Sequence, residues 1–464
     1  MKGSSSLWLF SIILIAKILE LKFFTVEAIS MFTTYEEAVS WIHSRLRLGV
    51  KPGLKRMEWM MEKLDHPERR IKGIHIGGTN GKGSTVAYLR SILQEAGYYV
   101  GTFTSPYFEV FNERIAVNGV PIKDEEIVRL ANDISPLCEE LDKTDLGGPT
   151  EFEIITAMAY QYFGRVNPVD IALIEVGLGG RFDSTNIIFP LASIITNIGL
   201  DHTAILGNTH AEIAFEKAGI IKSGTSLITA VKQEEALNVI EEKAKEMKAP
   251  IYLLGREFKV SDHASTMTGE IFSQKTPYRE RKELEISMAG LHQVENASLA
   301  VTAIDVLKQF YSFLIDDEHI YAGLKKAYWP GRFEVLSNNP FVVIDGAHNE
   351  EGVDALAAEL QKRFSDKKIH IVFSALADKK LDAMIHKLDG IADKITFVEF
   401  DYPRASAAEN LFALSKNSNK HQNSDWKEAI KEEISEFQKD EVLVITGSLY
   451  FLSEVKPFIT ENFI

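Results

Sequence analysis

A single cysteine, Cys138, stands in 464 residues, which excludes an internal disulfide and any zinc or iron–sulfur centre built from several thiolates. A small buried apolar side chain in a reducing cytoplasm is the expectation for it. Positive charge is also scarce. Lysine and arginine number 51 against 66 aspartates and glutamates, a net charge of −15, and no basic cluster is dense enough to override that balance. Nucleic-acid phosphates and anionic membrane surfaces are repelled, so neither is an expected partner. The apolar run 7–16 follows Lys2, is interrupted by Lys17 and is too short to span a bilayer. It resembles a signal-peptide core, yet Val26, Glu27 and Ala28 make a poor cleavage site. The chain changes character at Met31, where a helical pattern begins with Phe32, Ala38, Val39, Trp41 and Ile42. The expectation is that translation starts there and that 1–30 is an extension. Solenoid repeats are absent as well.

What is present is a globular composition, 45% hydrophobic and 25% charged, in a chain too long for one core. Two domains are expected. The stretch 71–76 reads as a strand, a glycine-rich loop follows, and 86–96 reads as a helix ended by Gly97. The apolar runs 170–176 and 191–198 read as buried parallel strands whose carboxyl ends carry glycine and polar residues, where ligands collect in open α/β sheets. The same grammar restarts at 341–344, 369–373 and 442–445, separated by helical stretches such as 353–364. The fold class expected is therefore α/β, a P-loop domain with a mostly parallel sheet followed by a smaller Rossmann-like unit. Pro330-Gly331 is the best join, which divides the chain into 31–327, a linker at 328–334, and 335–464. The polar segment 417–423 reads as a surface loop.

The loop is Gly77-Gly78-Thr79-Asn80-Gly81-Lys82-Gly83-Ser84. Its glycines let backbone N–H groups approach phosphate oxygens, the helix start adds favourable partial charge, and Lys82 supplies a cation for the outer phosphates. Ser84 and Thr85 stand where a hydroxyl can reach magnesium. A turn that binds nothing is the bland alternative, and a lysine at a helix start weighs against it. The loop departs from the strict Walker pattern, with Ile76 in place of the first glycine and Gly83 between Lys82 and the hydroxyl residue. Glu175 ends a buried strand, a costly place for a carboxylate without a metal or hydrogen bonds. Taken alone, His202 is more often a structural hydrogen-bond partner, Lys217 a solvated helix lysine, Asn296 a helix cap, and Asp345 and His348 turn residues.

Together these motifs resemble the folylpolyglutamate synthase and dihydrofolate synthase family of the Mur-ligase superfamily, from Phe32 to nearly the C-terminus. Gly78 to Ser84 matches the family loop completely, so the Walker departure is what the resemblance implies. Thr104-Ser105-Pro106, the run from Glu175 to Asn186, Gly199-Leu200-Asp201-His202 and Glu216-Lys217-Ala218-Gly219-Ile220 match in the same order. The resemblance implies that Thr79 to Ser84, Asn296, Arg332 and Asp345 contact ATP, and that Ser84, Ser105, Glu175 and His202 hold Mg²⁺ with phosphate and water oxygens. It makes Lys217 a carbamylated lysine and places His348 near the incoming L-glutamate. Phe152, Glu153, Phe182 and Asp183 fall where relatives line the pteridine pocket, although aromatic residues at such spacing are usually core.

The implied reaction is ATP-dependent joining of L-glutamate to a folate carboxylate through an acyl phosphate, by a cytoplasmic monomer. Dihydropteroate as acceptor, giving a dihydrofolate synthase or a bifunctional enzyme, needs the same motifs. A P-loop nucleotidase and a non-catalytic nucleotide-binding protein are the readings from other classes.

Overall fold

The computed structural model describes residues 32–49, 51–266 and 269–464; the expected start at Met31 and the extension before it lie outside them. The first sheet has eight strands: β1 (Gly73–Gly77), β2 (Val100–Phe103), β3 (Ile115–Val117), β4 (Val120–Pro121), β5 (Ile171–Glu175), β6 (Ala192–Ile195), β7 (Ser226–Thr229) and β8 (Ile251–Leu253). Their order is β4-β3-β2-β5-β1-β6-β7-β8. The six strands from β2 to β8 pair in parallel, and β3 and β4 extend the sheet antiparallel at one edge. β1, β5 and β6 are buried at every residue. Runs such as Ile171-Ala172-Leu173-Ile174 can be apolar throughout because both faces of a parallel sheet are covered. Successive side chains point to opposite faces. Leu173 accordingly packs with the helices Lys82–Glu95 and Leu291–Tyr311, while Ala172 and Ile174 pack with Asp124–Asp142 and Glu151–Gln161. Cys138 lies in that second core, fully buried, and burial pushes its thiol up to about 12.

A three-stranded antiparallel sheet follows, β9 (Lys259–Ser265), β10 (Glu270–Lys275) and β11 (Glu280–Ile286), in the order β11-β10-β9. The expected organisation did not contain it. It packs on Leu291–Tyr311 through Phe272, Leu284 and Ile286, and the Arg281 guanidinium makes a buried ion pair with Asp305 on that helix at 2.7 Å.

The last sheet holds β12 (Glu334–Asn338), β13 (Phe341–Asp345), β14 (Lys368–Phe373), β15 (Lys394–Val398), β16 (Lys420–Asn423) and β17 (Glu441–Thr446), ordered β12-β13-β17-β14-β15-β16. All its pairs are parallel except β12 with β13. The strands expected at 341–344, 369–373 and 442–445 are therefore present within a residue. Residues 420–423 correct the loop expected over 417–423, because they pair with β15 at the sheet edge, where a strand needs only one apolar neighbour.

His75, on β1, is completely buried and its Nε2 lies 2.8 Å from Thr185 Oγ1. Burial first, and then the nearby Lys222 charge, push its pKa down to about 3. Below the unfolded value of 6.5 the unfolded chain takes up a proton that the folded chain refuses, so stability is lost as pH falls from about 6.5 toward about 3. One such proton costs about 1.4 kcal/mol per pH unit, or about 2 kcal/mol by about pH 5. Urea unfolding of His75→Gln should therefore show a shallower loss of stability over this window than the parent chain.

Candidate active site

Adjacent strands β2, β5, β1 and β6 end side by side, and their carboxyl ends carry Ser105, Glu175, the glycine loop and Thr196-Asn197. The loop is tied down by the last of these. Thr79 N donates to Asn197 O at 3.1 Å, Asn80 N to Asn197 Oδ1 at 2.8 Å, and Thr196 Oγ1 to Asn80 O at 2.5 Å. Two glycines are required by this packing. Gly78 has φ +141 and a Cβ there would strike Thr196 Oγ1; Gly81 has φ +83 and a Cβ would strike Asn296 Oδ1. Gly81 is also the helix N-cap, so Lys82–Glu95 begins four residues before the expected start at Val86. Ser84 and Thr85 thus sit in the first turn, and Thr85 Oγ1 donates to Gly81 O at 2.9 Å.

A cavity of about 140 Å³ opens above the loop, and Lys82, Ser105, Glu175, His202, Lys217, Arg332 and His348 all line it. The Lys82 ammonium rests on its own loop, donating to Gly78 O and Thr79 O at 3.1 Å each. Glu175 is buried, one of its oxygens, Oε2, has no hydrogen-bond partner, and desolvation raises its pKa to about 7 against the opposing pull of Lys82. His202 caps a short helix, Thr203–Leu206, in the left-handed conformation. Desolvation lowers its pKa, with the Asp201 charge opposing. Neutral imidazole is the form that ligates a metal.

Lys217 overturns the bland expectation of a solvated lysine. It lies on His210–Ala218 but is buried, donates from Nζ to Gly78 O at 2.9 Å, and is pushed down to about 7 by desolvation and then by Lys82. His348 Nδ1 lies 2.8 Å from Gly346 O, and desolvation followed by the Arg332 charge lowers its pKa to about 4. With Nδ1–H donated to that carbonyl, Nε2 is left as an acceptor.

A neighbouring cavity of about 110 Å³ is lined by Asn80, Gly81, Ser84, Asn296, Arg332 and Asp345. Arg332 therefore faces both. Asn296 is not a helix cap: Gly290 holds that position, and Asn296 lies inside Leu291–Tyr311 with Nδ2 donating to Gln293 Oε1 at 3.2 Å. Gln293 Nε2 in turn donates to Ser84 Oγ at 3.2 Å. Asp345 ends β13, accepting from Phe333 N at 2.8 Å and Ala347 N at 2.9 Å, and desolvation raises its pKa.

Phe152, Glu153, Phe182 and Asp183 line neither cavity. Glu153 closes a capping box with Thr150 and pairs with Arg56 at 2.8 Å. Asp183 accepts from Leu178 N at 2.8 Å and from Thr185. Phe182 is exposed under the Arg181 guanidinium, and Phe152 packs 5.8 Å from Phe103.

Sequence reasoning missed the contacts that join the two halves. Lys379 Nζ pairs with Asp201 Oδ1 at 2.9 Å, Asn80 Nδ2 donates to Glu351 Oε2 at 3.2 Å, and Asn349 Nδ2 donates to Asn80 Oδ1 at 3.0 Å. No motif marks Lys379 or Glu351; Asn80, Asp201 and Asn349 lie in motif runs, but nothing in those runs marks them as contacts between the halves. Lys379 and Asp201 are both mostly buried, so removing one charge strands the other. Asp201→Asn should loosen the contact, and small-angle scattering should then show a larger radius of gyration without ligands; an unchanged radius would show that the remaining contacts suffice.

Residues 139–304 match the Mur ligase middle domain, and residues 331–449 the Mur ligase glutamate ligase domain. Over 426 residues, 92% of this chain and 99% of the relative, the sequence is 51% identical to the dihydrofolate synthase/folylpolyglutamate synthase of Bacillus subtilis. The chain belongs to the folylpolyglutamate synthase/dihydrofolate synthase family. Enzymes of this family are ATP-dependent ligases that form an amide bond, and this chain is one of them. The crystal structure of folylpolyglutamate synthase from Thermotoga maritima is similar at TM-score 0.81 and 34% identity, covering 92% of this chain and 96% of that one. A solved FPGS–AMPPCP–folate complex is similar at TM-score 0.81 and 32% identity, covering 93% and 100%.

Proposed function

We propose that the chain activates a folate carboxylate with the γ-phosphate of ATP and passes the acyl group to the amine of L-glutamate. The observation that carries this reading is the convergence of Lys82, Glu175, Lys217, Arg332 and His348 on one cavity. Attack of the carboxylate on the γ-phosphorus forms the acyl phosphate and releases ADP; attack of the amine on the acyl carbon forms the amide and releases phosphate. Lys82 and Arg332 offset the negative charge that gathers between the two oxygens. In this reading the acceptor nitrogen of His348 takes the proton that the attacking amine sheds.

Among the described residues no three His, Cys, Asp or Glu side chains form a metal-holding cluster. A hard cation here would use Glu175, Ser105, His202 and Ser84 with phosphate and water oxygens, and the unpartnered Glu175 Oε2 fits such a role. Magnesium, when bound, would offset phosphate charge. In this reading 31–327 is the ATP-binding unit, 328–334 the linker and 335–464 the ligase unit. A monomer is the state proposed, checked by sedimentation velocity; the lone buried Cys138 suits a reducing cytoplasm.

The Bacillus relative carries both activity names, which supports dihydropteroate as a second acceptor. Phosphate release with ATP, magnesium and L-glutamate should therefore appear on adding tetrahydrofolate, and separately on adding dihydropteroate. Release that needs neither acceptor nor glutamate would make the chain a nucleotidase and overturn the reading.

A further inference from the structure

A cavity of about 250 Å³ lies between the edge of the first sheet and the 328–330 stretch, with Arg90, Thr102, Tyr107 and Trp329 in its walls. No role described above uses it. It shares Pro106 and Leu449 with the Lys82 cavity, so the two adjoin.

Arg90 is the unusual wall residue. It stands on Lys82–Glu95 about two turns, roughly 12 Å, beyond Lys82. Its Nε is sealed from solvent without a hydrogen-bond partner, and no acidic side chain among the described residues pairs with it. Desolvation lowers its pKa with no neighbouring carboxylate to offset that effect. The one carboxylate in the lining, Glu113, is already committed, accepting from Phe108 N at 2.7 Å and from Glu109 N and Val110 N at 2.9 Å each. Gly119, at φ +76 in the turn between β3 and β4, preserves the space, since a Cβ there would lie 2.9 Å from Arg90 Nη1. A largely buried guanidinium without a partner is costly to fold around, and an arriving anion would remove that cost. The aromatic walls offer flat apolar surface beside it, and planar guanidinium suits a carboxylate bidentately.

We infer that this cavity binds a carboxylate carried on a flat apolar body, with Arg90 as its charge partner and Tyr107 and Trp329 as its walls. The site is a positioning subsite and does not hold the reacting carboxylate. Its adjacency to the Lys82 cavity makes the source one of the substrate's own non-reacting glutamyl carboxylates, and in this respect the inference rests on the proposed function. A free aromatic acid presents the same chemistry.

Calorimetric titration of the full chain with 4-aminobenzoyl-L-glutamate and with benzoate separates the sources. Binding of the first should weaken about 10- to 100-fold in Arg90→Met, the loss expected for a hydrogen-bonded charge pair, and recover in part in Arg90→Lys. Benzoate binding as tightly as the glutamyl compound and equally dependent on Arg90 would keep the site and overturn the substrate source. In steady state, Arg90→Met should raise KM for the folate substrate by a similar factor with kcat and KM for ATP unchanged. Removing an uncompensated charge should leave Tm at or above that of the parent. A marked fall in Tm with unchanged binding and KM would make Arg90 structural and overturn the inference. Parent turnover with an Arg90-independent titration overturns the subsite alone; Arg90-dependent binding without parent turnover overturns the proposed function alone.

Discussion

Lys217→Ala should abolish measurable turnover, a loss of about 10³-fold or more of the kind seen when a preorganised charge is removed, and Lys217→Arg should fare no better. The argument begins with burial. Lys217 is sealed against the loop, its Nζ held by Gly78 O at 2.9 Å, and its pKa is lowered to about 7 by desolvation and by Lys82. Near neutral pH a substantial share of the side chain is therefore free amine, the form whose nitrogen lone pair attacks carbon dioxide. Carbamylation would follow in two steps: the ammonium gives up one proton to become the free amine, and the amine forms an N–C bond to carbon dioxide and sheds a second, which would leave an anion beside the Lys82 ammonium, the second cause of the low pKa. Like-charge repulsion is thereby exchanged for attraction. Arginine stays protonated and cannot follow this path. A carbamate resonance from ¹³C-bicarbonate in the parent, absent from both variants, would accompany the loss. An arginine variant with near-full activity would show that a cation at this position is enough and would remove the carbamate.

The loop and strand ends were legible because each is written locally. A continuous apolar run, a glycine-rich stretch and a lysine at a helix start occupy neighbouring positions, and the parallel sheet places Glu175 where its strand ends. The burial of Lys217 was not legible, since the backbone that covers it belongs to Gly78, 139 residues away in sequence. On its own helix it looks like one more charged side chain. The Asp201–Lys379 pair spans 178 residues and lies across the two halves, so no local pattern announces it.

The antiparallel sheet of β9 to β11 escaped for a different reason. Its outer strands are mostly exposed, and Glu280–Ile286 buries only Arg281, Leu284 and Ile286 among charged neighbours. A strand that buries one face needs few apolar residues, and Arg281 satisfies its inward position by pairing with Asp305 rather than by being apolar. The helix start at Lys82 was displaced because Gly81 and Gly83 look like loop residues, whereas Gly81 is a cap and Gly83 lies inside the first turn. Residues that serve the site break the local rules that mark a helix.

Lys82→Ala should lower kcat by about 10³-fold while raising KM for ATP far less, because its charge matters most where negative charge grows between phosphate and leaving oxygen. The structure adds a second consequence. Glu175 is held near 7 by a balance of desolvation, which raises its pKa, against Lys82, the largest opposing influence. Without that cation the balance tips toward the protonated acid, which binds a divalent ion poorly. The two residues therefore act as a unit, and Glu175→Gln in the alanine background should cost much less than in the parent enzyme. Isothermal titration of magnesium with a non-hydrolysable ATP analogue should show the same coupling without turnover, with metal affinity weakened in Lys82→Ala although no proposed ligand has changed. Additive losses in both measurements would separate Lys82 from Glu175 and leave the lysine as a phosphate contact alone.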